Sequence, residues 1–300
     1  MRIDPNSLPV PELHAFLLGT IGPRPIAWAS TIDKEGKVNL APYSFFNVFG
    51  TKPPTLIFSP AIPRGEQKKD TLLNAMETEE VVINIVSFDV VEQMSLSSTA
   101  YPKGTNEFKK AGLTEEPSEL VKPPRVKEAI AAYECRVKRV IHLGEEQGAG
   151  NLIICEILLG HLKDEVLGDD GKPDPRKTDL VARMGGDWYC RANGDALFEI
   201  PKPNRNLGIG VDQIPDAIRN SSVLTGNNLG RLGNIEKMPE NSEVEAYAKT
   251  DEIIALKQRF SENPTGFVNA LHNLAKQFLE KNQLKEAWLT LLQTPKKNIK

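Results

Sequence analysis

The sequence predicts a mainly β fold: a barrel with short helices, followed by a C-terminal helical extension. Three observations carry this. Short strand-like runs recur at close spacing through residues 1–203, separated by stretches rich in proline, glycine and aspartate. Two of these runs, "YECRVKRVIHLG" and "NLIICEILLGHLKDEVL", are long and are joined by the loop "EEQGAG". After about Pro203 the character changes to a polar, glycine-rich segment and then to helical periodicity. The domains are accordingly read as 1–203, a β domain, and 204–300, a helical extension.

The elements follow in order. "AWASTIDKEGKVNLAPYS" reads as a hairpin, with "DKEG" as its turn and Gly36 free to take a positive φ. "TLIFSP" is a further strand bounded by Pro53, Pro54 and Pro60. Between them "NLAPYSFF", Asn39–Phe46, mixes proline, serine and asparagine with large apolar groups and reads as an irregular loop. "KDTLLNAMETEE" is a short helix that Asp70 or Thr71 can cap. "VVINIVS" is a buried strand and "FDVVEQMSLSS" a second short helix. In "YECRVKRVIHLG", strict alternation places Cys135, Val137, Arg139, Ile141 and Leu143 on one face. In the extension, a capping box over Ser242–Glu245 starts one helix, and Pro264 fits the first helical position of the next. Phe267, Leu271, Leu274 and Phe278 form the apolar stripe of that helix, and "LKEAWLTLLQ" is another helix.

Composition narrows the function. The chain has 300 residues, 40% hydrophobic and 26% charged, with a net charge of -3. That charge argues against a general nucleic-acid binder, which presents a basic surface. Cys135, Cys155 and Cys190 are odd in number and lack CxxC spacing, which suits reduced cytoplasmic thiols better than disulfides or zinc. The N-terminus lacks the apolar core of a signal peptide, and no run of about 18 apolar residues offers a membrane span. A cytoplasmic protein is expected. Four histidines without metal-ligand spacing give no metal site, and GxSxG, GxGxxG and GxxxxGK[ST] are absent.

Two stretches carry chemistry. In "PRGEQKKDT", Arg64, Lys68 and Lys69 precede a helix start, where free N–H groups and the dipole favour a phosphate. Taken alone, this stretch reads more readily as a solvated charged loop. "NLAPYSFF" sets Asn39, Ser44 and Asn47 beside apolar walls, which suits a flat heteroaromatic ring with a polar edge. Together the two suggest a mononucleotide cofactor. Arg183 and Tyr189, in "RMGGDWYCR", fit either a site wall or a structural role, and Trp28 reads as packing.

Taken in order, "PRPIAWASTIDKEGKVNLAPYSFFNVFGTKPPTLIFSP", "KKDTLLNAMETEEVVINIV", "ECRVKRVIHLG" and "RMGGDWYCR" resemble the flavin reductase-like family of FMN-binding split barrels, over roughly residues 15–195. That family includes flavoredoxin and the reductase components of two-component monooxygenases. The resemblance implies a six-stranded Greek-key split β-barrel, a homodimer, and FMN near the subunit interface. It implies that Ser30 and Thr31 end a strand facing the cofactor. Asn39, Ala41, Pro42 and Ser44 would line the isoalloxazine ring, largely through backbone groups. Ser59, Lys68, Lys69 and Thr71 would hold the ribityl and phosphate end, with Asp70 as a cap. The implied activity passes electrons from NAD(P)H through FMN to free flavin or another acceptor, with no catalytic acid or base required. The alternatives are a flavoredoxin-like electron carrier reduced by a redox protein partner, and a non-enzymatic flavin-binding module.

Overall fold

The structure, a computed structural model, describes residues 1–63, 69–200 and 207–295. The chain forms two compact units, Met1–Phe198 and Glu199–Lys300. The boundary drawn at Pro203 falls outside the described residues.

In chain order the first unit contains α1 (Val10–Thr20), β1 (Ala27–Ile32), β2 (Val38–Tyr43), β3 (Phe46–Thr51), β4 (Pro54–Phe58), α2 (Asp70–Thr78) and β5 (Glu80–Ile85). There follow α3 (Val91–Leu96), α4 (Glu107–Ala111), β6 (Glu115–Glu116), β7 (Arg125–Val126), β8 (Ala131–His142) and β9 (Asn151–Leu162). α5 (Pro175–Thr178), β10 (Val181–Arg183) and β11 (Tyr189–Arg191) complete it. Seven strands form one antiparallel sheet in the order β2-β1-β5-β8-β9-β4-β3. β2 and β3 are its two edges, yet only Ser44 and Phe45 lie between them in sequence. A two-residue link reaches about 10 Å, far less than the width of a flat seven-stranded sheet at about 4.8 Å per strand. The sheet therefore curls until its edges approach at this corner, making a barrel that is not closed by a β2–β3 ladder.

The curl creates an inside and an outside. Ala27 and Ala29 of β1 face inward with Leu56, Phe58, Val81, Ile83, Cys135, Val137, Ile153 and Cys155, and Leu72 and Ala75 of α2 plug the same core. The alternate residues of β1 and β2, Trp28 and Leu40, face outward into a second core covered by Met94 of α3 and by Phe108 and Ala111 of α4. Small residues inside and a tryptophan outside set the curvature of β1. The Trp28 indole N–H donates to Ser97 Oγ at 2.9 Å, which satisfies its one polar atom.

The expected β1–β2 hairpin forms, with Gly36 at φ 82° and the Asp33 carboxylate accepting from the Glu35 and Lys37 N–H groups. Three readings are corrected. The "NLAPYSFF" loop is mostly strand: β2 runs through Pro42, which stands opposite Trp28. Its neighbour Leu40 turns its N–H outward to Glu107 Oε2 at 2.9 Å. Outward backbone groups thus alternate at Val38, Leu40 and Pro42, and the missing proline N–H costs no ladder bond. β3 is the seventh strand, so the sheet is not six-stranded. The strict alternation of β8 fails at a register shift between Val137 and Arg139. Past it Val140 packs toward the interior and Arg139 is exposed. Pro9 is the N-cap residue of α1 and Pro11 lies in its first turn, where no intrahelical N–H is needed.

The second unit contains α6 (Asp216–Arg219), α7 (Gly226–Leu232), α8 (Asn241–Tyr247), α9 (Asp251–Arg259), α10 (Pro264–Glu280) and α11 (Leu284–Leu291). α10 starts at Pro264 with Asn263 capping the Gly266 N–H. Its buried stripe is Phe267, Leu271, Ala275 and Leu279; Leu274 and Phe278 flank it, half-buried. The capping box of α8 uses Glu240 and Glu243, not Ser242 and Glu245. Among the described residues helix exceeds strand, 35% against 25%, so the mainly β description belongs to the first unit alone. Among the described residues no helix is long and apolar enough to cross a membrane.

One buried charge holds an irregular segment to the sheet. Glu134, fully buried on β8, accepts from the Glu119 and Leu120 N–H groups at 2.9 and 2.6 Å and pairs with His161 Nε2 at 2.7 Å. Burial alone would raise its pKa; the two backbone donors and the imidazole outweigh burial and leave it lowered. A carboxyl held below its unfolded value, about 4.3, stabilises the fold above that pH. The contribution is lost as pH falls through the folded value. Glu134→Gln is expected to cost about 1.5–3 kcal/mol at pH 7. Thermal melts should show the gap to wild type shrinking as pH falls below about 4; a gap independent of pH would mean the charge is not its source.

Candidate functional site

The corner where the barrel edges approach gathers most of the sequence-predicted residues. On β2, the side chains of Asn39, Ala41 and Tyr43 share the inward face with Thr31, Ala29 and Ala27, their partners on β1. Tyr43 packs against Phe58 with ring centroids 5.5 Å apart. The next residue, Ser59, donates its N–H to Phe45 O at 2.8 Å, tying the end of β4 to the corner link. Asn39 Nδ2 donates to Thr71 Oγ1 at 2.8 Å, and Asn74 Nδ2 to Thr31 Oγ1 at 3.2 Å. The end of β4, the edge of β2 and the start of α2 are thereby contiguous.

Two polar atoms of this corner are buried without a hydrogen-bond partner among the described residues: the Ser59 hydroxyl and Asp70 Oδ1. Gly150 keeps the Ser59 hydroxyl clear: a Cβ there would lie 2.8 Å from Ser59 Oγ. Helix α2 has Lys69 as its N-cap residue, and no side chain caps it. Asp70 occupies the first helical position and caps nothing, which corrects its expected role. A carboxylate at that position has passed the point from which it can turn back onto the N2 and N3 N–H groups. A nine-residue helix with an open N-terminus and an adjacent lysine favours an anion.

The other expected residues divide. Ser30 and Thr31 point to opposite faces of β1, as adjacent strand residues must. Ser30 shares the outward face with Trp28; its hydroxyl is buried and unpartnered. Thr31 is the one turned toward α2. Asn39 and Ala41 do not offer free backbone groups, because those point into the β1 ladder; this corrects their reading as backbone contacts. The Pro42 carbonyl points outward, and Ser44 lies in the corner link. Lys68 lies outside the described residues. Thr71 is buried, its hydroxyl already engaged by Asn39.

Sequence reasoning missed Tyr43 and Glu107. Burial pushes the Tyr43 phenol well above its ordinary pKa, and the neighbouring Thr71 works against that rise. Burial likewise raises the Glu107 carboxyl, against the lowering effect of the Leu40 N–H that it accepts. Tyr43 could have been found by counting along β2, since it keeps the period of Asn39 and Ala41. No local signal marks Glu107, which reaches β2 from 67 residues away. Among the described residues no three metal-ligating side chains converge.

Comparison with known proteins gives the arrangement its relatives. The model of the flavin reductase like domain matches residues 20–174, more than half of the chain. An uncharacterised protein from Aquifex aeolicus is 38% identical over 188 residues, covering 63% of this chain and 94% of its own. Among solved structures, nitrilotriacetate monooxygenase component B from Bacillus cereus superposes with a TM-score of 0.62 at 32% identity, covering 67% of this chain and 98% of that one. The 2-nitrobenzoate 2-nitroreductase NbaA from Pseudomonas fluorescens gives a TM-score of 0.60 at 27% identity, covering 67% and 97%. On the family match and the open barrel together, the chain belongs to the flavin reductase-like family.

Proposed function

We propose that the first unit binds FMN and passes electrons from NAD(P)H to free flavin or another acceptor. The observation that carries this reading is the open start of α2 with Lys69, joined through β2 to the end of β4, where the Ser59 hydroxyl is buried without a partner among the described residues. These groups fit the phosphate and ribityl end of FMN: the α2 N–H groups and Lys69 meet the phosphate, and Ser59 meets a ribityl hydroxyl. The ring end then falls to Pro42 and Ser44, because Glu107 already occupies the outward N–H of Leu40. Bound FMN would supply the electron-carrying ring. The chain's own task is to grip the two ends, exclude water from one ring face and leave the other open. The redox enzymes named among the relatives agree with this reading.

We also propose a homodimer. Phe45, Val48 and Phe49, at the corner and on edge strand β3, are 41%, 59% and 64% exposed. An apolar sheet edge of this kind invites a partner strand or face. A cytoplasmic location goes with this reading.

Purified protein is expected to show flavin absorbance bands near roughly 370 and 450 nm and to oxidise NADH or NADPH when FMN is added. A bound flavin that neither nucleotide reduces would shift the assignment to an electron carrier served by a redox protein. Lys69→Ala should weaken FMN by about 1.5–3 kcal/mol while leaving riboflavin, which lacks the phosphate, nearly unchanged; titration of both flavins checks this, and equal weakening would remove the phosphate from the α2 start. Light scattering is expected to give twice the chain mass. A monomer that still binds FMN would argue against a site that depends on the dimer.

A further inference from the structure

Two hydrogen bonds determine where α2 begins. Thr31 and Asn39 stand directly opposite each other on β1 and β2. Their partners, Thr71 and Asn74, are three residues apart on one helix face. One such bond would let the helix pivot. Two at this spacing fix both its rotation and its advance along the sheet. Tyr43 stands beside them. It lies on the same face of β2 as Asn39, its phenol reaches toward Thr71, and its ring rests on Phe58, the residue before Ser59.

Holding α2 onto the barrel does not require these polar ties. Leu72 and Ala75 already bury the helix in the interior core, and apolar contact is non-directional. Hydrogen bonds are directional and weaken steeply with misalignment. The polar ties therefore add placement to a helix that burial already retains, and the one at Thr71 lies in its first turn, where its free N–H groups lie.

We propose that Asn39 is a positioning residue for the phosphate end of the site, acting through the Thr71 hydroxyl to hold the first turn of α2 where its N–H groups and Lys69 meet an anion. This rests on the FMN reading above. It assigns Asn39 a different task from contact with the flavin ring, and it makes the edge strand and the helix start one mechanical unit.

The test titrates FMN and riboflavin against full-length wild type, Asn39→Ala, Thr71→Val and Thr71→Ser. Thr71→Ser keeps the hydroxyl. Asn39→Ala and Thr71→Val should each weaken FMN by about five- to tenfold and riboflavin by less than about twofold, as loss of one hydrogen bond implies. Thr71→Ser should bind FMN like wild type. In a Lys69→Ala background, Asn39→Ala should add little, because both act on one contact. Equal weakening of the two flavins would overturn the proposal in favour of ring contact or a loosened fold. So would a Thr71→Ser protein as impaired as Asn39→Ala, or unchanged FMN binding in all variants. Wild-type protein that binds neither flavin would instead sink the FMN reading itself, and this proposal with it.

Discussion

The short link between β2 and β3 is the constraint on which the rest of the first unit depends. Ser44 and Phe45 connect the two outermost strands of a seven-stranded sheet, and a chain of that length cannot span a flat one. Curling gives β1 a concave face, which alanines suit, and a convex face that takes Trp28. It also brings Tyr43 onto Phe58, across the opening from one edge strand to the neighbour of the other.

Much of this was legible in the sequence where local chemistry decides the outcome. Gly36 in its turn, the long β8–β9 pair and Pro264 at the head of α10 are set by neighbouring residues. The family blocks were likewise legible, since they recur in order. The errors came where a distant partner decides. Pro42 reads as a strand breaker until β1 fixes which backbone groups face outward. Arg139 reads as inward-facing until a register shift opposite β9 changes the phase. Asp70 reads as a cap because its type favours capping, but the helix starts at that residue and not after it. For the site, residue types were readable and their tasks were not. Asn39 looked like a ligand donor, and its amide is bonded to Thr71.

The corner also illustrates a division of labour between apolar and polar burial. Leu72 and Ala75 give α2 a place to be, and the bonds to Thr71 and from Asn74 give it an orientation. Glu134 does the same for the segment around Glu119 and Leu120, at a position where that segment offers little hydrophobic surface. In both cases a polar side chain on or beside a strand holds an element that the sheet's own ladder cannot reach.

The two edges of the sheet differ in what they offer a foreign strand. On β2 the Leu40 N–H is taken by Glu107 and Pro42 has none, so beyond Val38 the outer edge lacks donors. On β3 the Val48 N–H is engaged only locally, by Asn47 Oδ1 at 2.8 Å, and no proline interrupts the strand. A sheet with one closed edge can be extended once, by a like edge meeting it across a two-fold axis, and then has nothing left to extend. Runaway stacking into fibrils needs two competent edges on a sheet, and the proline-and-glutamate seal on β2 removes one edge of this one.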